Sequence, residues 1–541
     1  MASEFREKAK KCTFICECAF FLLPLPAICK TCIMKHLYRK MLAVACAAIM
    51  VMPLAAKRQP KPQEVDSLGR KIKTGWNFGI LPSVAYDADY GFQGGVLTNI
   101  YYYGDGSQYP EYIHSLYVEA AYTTKHHGIF RFNYDSKYLI PGYRLTLDAT
   151  YLPDAMCDFY GFNGYASRYN YDLHNWSNKL TKDPDYIVEH PEYTHYRTRV
   201  FYKYKRDLIR VAGDIEGTIY KDLKWNAGLG VLGYIIDDCD IKMLNGKNEY
   251  DPEKQPYEQK PLDPNAQLLY DKYKTWGLIG KDEMNGGWHP YLRGGITFDT
   301  RDKRQGPNKG IYADAFFTYS AAFNAAYGNQ ASAGYNHLQF NFTFRHYVPC
   351  FKDKNGINRI TFAYRLGTQN NIAGKSPFYM NNYMNALFIQ RVYYEGLGGG
   401  NSVRGMMANR ILANGFAFAN VEFRFRVVNF DIGHQHFYIG LNPFFDLGVI
   451  TQPYKLDDLV ALHTDGQFTT LKASMEAAGD KYDDYFTSDP KDVYLPHMCA
   501  GLGLKVGMNE NFVLSCDWAM PLNKQDNQKW ANFYVKMGYL F

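Results

Sequence analysis

The stretch Gly415-Phe416-Ala417-Phe418-Ala419-Asn420-Val421-Glu422-Phe423-Arg424-Phe425-Arg426-Val427 decides the fold. Its odd positions are small or apolar throughout, while the even positions run from Phe416 and Phe418 to Asn420, Glu422, Arg424 and Arg426. Successive side chains of a strand point to opposite faces, so one face here suits lipid and the other a wet lumen. The same period recurs from Phe437 to Val449, with Phe437, Ile439, Leu441, Phe445, Leu447 and Val449 opposite Tyr438, Asn442, Phe444 and Asp446. In the last segment Phe533, Val535, Met537, Tyr539 and Phe541 fall on one face and Asn532 and Lys536 on the other, an aromatic ending expected of a barrel signal at Tyr539 and Phe541. A soluble sandwich also alternates, but it gives no reason for that ending after so dense a run of tyrosines.

Worked outward, the pattern gives about sixteen segments, starting near 74, 88, 113, 128, 142, 195, 223, 288, 310, 335, 357, 413, 436, 495, 510 and 530. An even count is what a single-chain bacterial barrel requires. The longest connections, near 154–193, 238–286, 370–412 and 451–494, all fall on one side. The tight turns at Tyr220-Lys221-Asp222 and Met508-Asn509-Glu510 fall on the other. The sixth segment, 195–219, switches face halfway, which a bulge or an extra hairpin would explain. The reading is therefore all-β: a transmembrane antiparallel barrel over residues 74–541.

Composition agrees. Tyr 47 and Phe 35 make the chain 16% aromatic, and a mean hydropathy of -0.37 is what strands with one wet face average to. Beyond residue 56 no run approaches the roughly 18 apolar residues of a spanning helix. The net charge of +6 is scattered along the chain without a basic block, so no nucleic-acid partner is expected.

At the N-terminus, Met34-Lys35-His36-Leu37-Tyr38-Arg39-Lys40, the apolar run Met41 to Leu54 and Ala55-Ala56 have the three parts of a signal peptide over 34–56. Residues 1–33 are read as a misplaced start or leader extension, and 57–73 as a short periplasmic tether. Of the cysteines, Cys157, Cys239, Cys350, Cys499 and Cys516 lie past this region, at spacings that match no zinc pattern. Gly228, Gly230 and Gly233 make a Gly-x-Gly-x-x-Gly, but inside a strand pattern, so no nucleotide fingerprint results. His126-His127 and His434 with His436 lack a carboxylate or thiol at ligand spacing. Neither cofactor nor metal is expected, and no catalytic residue is assigned, because hydrolase motifs are missing.

Three further motifs carry a resemblance. They are Gly396-Leu397-Gly398-Gly399-Gly400-Asn401-Ser402-Val403-Arg404-Gly405; Phe444-Phe445-Asp446-Leu447-Gly448; and Gly294 to Asp302 followed by Asn308-Lys309-Gly310. In this order the chain resembles the Omp85 superfamily, the bacterial surface antigen D15 or BamA/TamA-like barrels. Val403-Arg404-Gly405 corresponds to the tip of that family's sixth loop. Phe444, Asp446 and Gly448 match its Phe-x-Asp-x-Gly on strand thirteen, and Thr297, Asp299 and Arg301 match its strand-eight segment. Two departures stand out: Met406 replaces the usual aromatic after the tip, and no POTRA domains are present.

The resemblance implies that Arg404 latches the loop onto Asp446 inside the barrel, with Asn420, Glu422 and Arg424 extending a lumen network. An Arg–carboxylate pair in a partly dehydrated interior is charge-assisted and suited to two parallel hydrogen bonds. The competing reading is one more solvated loop arginine. The glycine run Gly396–Gly400 is either a hinge or a close-packed passage.

The implied function is outer-membrane biogenesis by insertion or translocation of proteins, or lipid handling, with a first-to-last-strand seam that opens laterally. Its partners would be the outer-membrane bilayer, client outer-membrane proteins and a periplasmic protein that supplies the missing receptor step. Different in class are a passive pore or surface-binding barrel, distinguished by steady conductance without effect on other barrels, and a barrel hydrolase, distinguished by phospholipid or peptide turnover.

Overall fold

The computed structural model describes residues 72–541 apart from 110, 171–199, 255–258, 304–305, 322–334, 355, 357, 384–395, 433–434, 509–511 and 528–531. The expected leader, signal peptide and most of the tether, with His434 and the turn at Asn509-Glu510, lie outside the described residues. Sixteen antiparallel strands close into a barrel. Strand β1 runs in two pieces, Trp76–Pro82 and Ala85–Asp87, broken where the Ser83 hydroxyl donates to Glu119 Oε1 at 2.9 Å. Then follow β2 Gly91–Tyr102, β3 His114–Thr123, β4 Gly128–Ile140, β5 Tyr143–Leu152, β6 Lys203–Tyr220, β7 Leu223–Asp237 and β8 Gly286–Asp299. The second half is β9 Gly310–Ser320, β10 His337–Lys352, β11 Asn358–Gly374, β12 Gly415–Ile432, β13 Gln435–Gln452, β14 His497–Met508, β15 Phe512–Pro521 and β16 Asn532–Met537.

The sixth strand corrects the sequence reading. It begins at Lys203, not near 195, because Val200-Phe201-Tyr202 form a buried turn. Its pairing with β7 runs from Lys205 to Thr218 before the register shifts, so the apparent change of face came from including that turn. Loop six likewise starts at residue 375, five later than read, because β11 carries on pairing to Gly374.

Each strand pairs with its chain neighbours along most of its length, as β7 and β8 do from Leu223↔Phe298 to Ile235↔Gly286. Closure is different. Among the described residues, strand β16 meets β1 at two positions, Tyr534↔Asp87 and Val535↔Tyr86. The first piece of β1, Trp76–Pro82, pairs with β2 throughout, and its other edge has no strand partner among the described residues.

Outward faces carry Phe78, Ile80, Leu229, Leu292, Val427 and Phe533, all exposed. An apolar surface this extensive fits a bilayer and would be a liability in water. No helix among the described residues is long and apolar enough to cross a membrane. Inward faces carry buried Arg210, Arg365, Asn420, Glu422, Asp446 and Lys505.

The long loops fold over one end around an aromatic core that includes Phe159, Phe162, Tyr273, Trp276, Phe378, Tyr454 and Phe486. Loops three and seven are stitched reciprocally, the Asn163 side chain donating to Tyr454 O at 2.8 Å and accepting from Tyr454 N at 2.7 Å. Loop four joins them where Lys272 and Trp276 Nε1 both reach Asp480, at 2.7 and 2.9 Å.

The last residues also differ from the alternation. Phe533 and Met537 point outward, but β16 stops at Met537 and Gly538, with φ +90°, turns the chain inward. Tyr539 and Phe541 therefore sit in the lumen, where Phe541 packs on Tyr347 and both rings lie under Arg424, at 4.3 and 5.1 Å. A glycine in the left-handed region is what period-two counting cannot anticipate.

Candidate functional site

Loop six enters the lumen as a narrow hairpin, bridged at Leu397↔Ile411 and tightened by Ser402, whose hydroxyl accepts from Gly398 N at 2.8 Å. The glycine run is a close-packed passage. A Cβ on Gly398, at φ +119°, would stand 2.1 Å from Met407 O, and one on Gly400 would meet Asp87 and Tyr534 at 2.7 Å. Side chains larger than hydrogen have no room there.

At the tip, Arg404 is fully buried and holds Asp446 three ways. Nε donates to Oδ2 at 2.8 Å, Nη2 to Oδ1 at 3.0 Å, and the Arg404 backbone N–H to Oδ2 at 3.0 Å. The fork matches the carboxylate plane, the geometry that makes such pairs strong. Nη1 reaches Glu422 Oε1 at 2.8 Å and Asp517 Oδ2 at 3.4 Å. The guanidinium also lies 3.5 Å from the Phe444 ring centroid. A Cβ on Gly448 would press on Ile411, Leu397 and Val403 at 3.1–3.7 Å, so this glycine leaves the space those loop residues fill. The three strand-thirteen positions thus supply a ring, a carboxylate and a gap to one loop tip. Met406, buried beside Cys499, Phe416 and Phe418, fills the adjoining apolar space.

The surrounding wall extends the network. Arg424 Nε donates to Glu422 Oε2 at 3.0 Å, and its Nη2 to Phe541 O at 2.8 Å. Asn420 accepts from Arg365 Nε at 2.8 Å and donates to Ser402 O at 2.7 Å. The structure does not bring the strand-eight residues to the tip. Thr297 donates to Asp314 at 2.7 Å, and Arg301 pairs with Asp299 at 2.8 and 2.9 Å over the Tyr312 ring. Their turn meets the network where Arg424 Nη1 donates to Pro307 O at 3.4 Å and where Gly306 stands against the Tyr539 ring.

Sequence reading missed four contributors. Lys505, 2.5 Å from Asp517, and Asp517 itself complete the charge balance. Both occupy inward positions of β14 and β15, so charge at lumen parity was the available signal. Tyr534, whose hydroxyl accepts from Gly405 N at 3.1 Å, ties the loop to the closing strand. Arg410 had no signal at all. It is buried and donates to Gln525 O, Gly164 O and Ser167 O at 2.8–3.0 Å, pinning loop six to loops three and eight. Beside it His497 Nδ1 and Tyr165 Oη each lie 2.5 Å from Asp526.

Arg410→Ala removes three charge-assisted contacts, each worth on the order of 1.5–3 kcal/mol when a carbonyl would be left unpaired. Limited proteolysis of the folded barrel should then cut loops three and eight sooner than in wild type. An unchanged cleavage rate would show that the aromatic core alone holds the cap.

Residues 118–541 match the model of the Omp85 superfamily domain. Among solved structures, the chain is similar to BamA from Haemophilus ducreyi lacking POTRA domains 1-3, at 12% identity over 92% of this chain and 78% of that one, with a TM-score of 0.46. It is also similar to CdiB from Escherichia coli, at 10% identity over 89% and 68% with a TM-score of 0.44, and to CdiB from Acinetobacter baumannii, at 12% over 87% and 61% with 0.41. No curated protein matches the sequence.

Proposed function

This chain belongs to the Omp85 superfamily, and from that premise we propose that it assists the insertion or translocation of proteins at the bacterial outer membrane. The single observation that carries the reading is the seam, where among the described residues β1 and β16 pair at two positions and the outer edge of Trp76–Pro82 has no strand partner. Unpaired backbone groups in hydrocarbon cost several kcal/mol each, so such an edge is a template waiting for a strand. A client segment that adds to β1 satisfies those groups and gains a membrane-embedded start, the logic of strand addition.

In this orientation the short turns face the periplasm and the long-loop cap faces outward. A signal peptide at 34–56 would bring the chain there, and a periplasmic partner would deliver clients. Loop six, latched through Arg404 and Asp446, keeps the lumen wall in shape while the seam works. The role is mechanical, and no residue is assigned to catalysis.

The test is reconstitution of the chain from Lys57 into liposomes and measurement of how fast a separate unfolded barrel inserts. Insertion should run faster than in empty liposomes. Equal rates would show that the barrel by itself does not insert clients, and would move the passive-pore or surface-binding reading to the front.

A further inference from the structure

At the long-loop end, between the rims of β11–β13 and the cap, lies a cavity of about 260 Å3. Three rings line it, Phe162, Phe378 and Tyr454, with Phe162 and Tyr454 4.6 Å apart. Two charges line it as well. Glu283 is 4% exposed, and its oxygens accept from Gly280 N at 3.3 Å and Phe378 N at 3.0 Å. Among the described residues no cation pairs with it. Lys375 has its ammonium 3.2 Å from His463 Nε2 and 4.4 Å from the Tyr335 ring centroid, and among the described residues no carboxylate pairs with it.

A desolvated carboxylate without a counter-ion is costly. Burial pushes the Glu283 carboxyl up to about 7, and Asp282 adds to the push against the Phe378 amide, Lys375 and the Gly280 amide. The fold thus lines one cavity with two opposite charges, neither in an ion pair among the described residues, and with aromatic faces.

We propose that this cavity binds a zwitterionic α-amino acid with an apolar or aromatic side chain. The ligand ammonium goes to Glu283, its carboxylate to Lys375, and its side chain onto Phe162, Phe378 and Tyr454. Ring faces beside a carboxylate suit an ammonium group. The volume falls just under the roughly 300 Å3 at which drug-sized pockets begin, which suits one amino acid and excludes an extended peptide. Nothing in this assignment depends on the seam or on client insertion.

Titration calorimetry on the detergent-folded full chain tests it with three probes: L-phenylalanine, phenethylamine, which lacks the carboxylate, and 3-phenylpropionate, which lacks the ammonium. Glu283→Gln should weaken L-phenylalanine and phenethylamine about tenfold or more while leaving 3-phenylpropionate within about twofold, the scale of losing one charged contact. Lys375→Met should do the reverse, sparing phenethylamine. Absence of L-phenylalanine binding to wild type overturns the site. So does indifference of all three probes to both variants. Equal loss of all three in a Glu283→Gln barrel that still migrates as folded would show that Glu283 only braces the cap, and would overturn the ammonium assignment.

Discussion

Arg404→Ala should release loop six from the wall and lower the stability of the folded barrel by about 3–5 kcal/mol, the cost of breaking a buried pair from one side. The reason is arithmetic of charge. Asp446, Glu422 and Asp517 all contact Arg404, while Arg424 also pairs with Glu422 and Lys505 with Asp517, so Asp446 is the carboxylate left without its ion-pair partner. Asp446 would lose both guanidinium donors at once, and the backbone N–H of residue 404 as well when the loop leaves the wall. Arg404→Lys should recover only part of the loss, since an ammonium keeps the charge but not the fork or the flat stack on Phe444. Denaturant titration of the detergent-folded barrel gives the stability, and protease cleavage within loop six gives its release. The pair is sheltered, so the loss should be nearly the same at low and high salt. An alanine variant as stable as wild type, with loop six still protected, would mean the apolar contacts of Leu397, Val403 and Ile411 suffice to dock the loop.

Joining β1 to β16 should abolish client insertion outright. Tyr86 and Val535 stand opposite each other at the seam, Tyr86 pointing outward. Cross-strand Cα atoms are about 4.5–5.5 Å apart, within the range a disulfide spans. The exposed Cys516 lies opposite Val535 on β15, so the pair Tyr86→Cys and Val535→Cys belongs in a Cys516→Ser background. Oxidised, this variant should insert clients no faster than empty liposomes; reduced, it should regain the rate of its background. If the oxidised form stays active, clients do not pass between these strands, and the seam is only a weak place in the wall.

How much of this was written in the sequence depends on what kind of contact is asked about. The strands were legible because a barrel wall repeats one local rule, and Gly415–Val427 states it without interruption. The Arg404–Asp446 pairing came from resemblance, since forty-two residues separate the two and no local pattern links them. Lys505 and Asp517 follow the wall's parity and were readable in principle. Arg410 was not, because its partners are backbone carbonyls, which any residue offers. Tyr539 and Phe541 misled for the opposite reason: their spacing obeys the alternation, but one left-handed glycine removes them from the strand that would have used it. The cap eluded sequence reading because its core joins aromatics from several loops whose order in space no periodicity encodes.

The carboxylates that hold Arg404 come from three strands, β12, β13 and β15, and the tip also touches Tyr534 on β16. A guanidinium cannot be captured by acceptors that have not yet met. The C-terminal third of the wall must therefore be aligned before loop six can settle, and a hairpin lying across the lumen cannot be threaded in once the wall is sealed. Biogenesis of this protein is therefore expected to follow an order: strands β12 to β15 first, then the docked hairpin, and the β1–β16 junction last, as the staves of a cask are drawn together around something already inside.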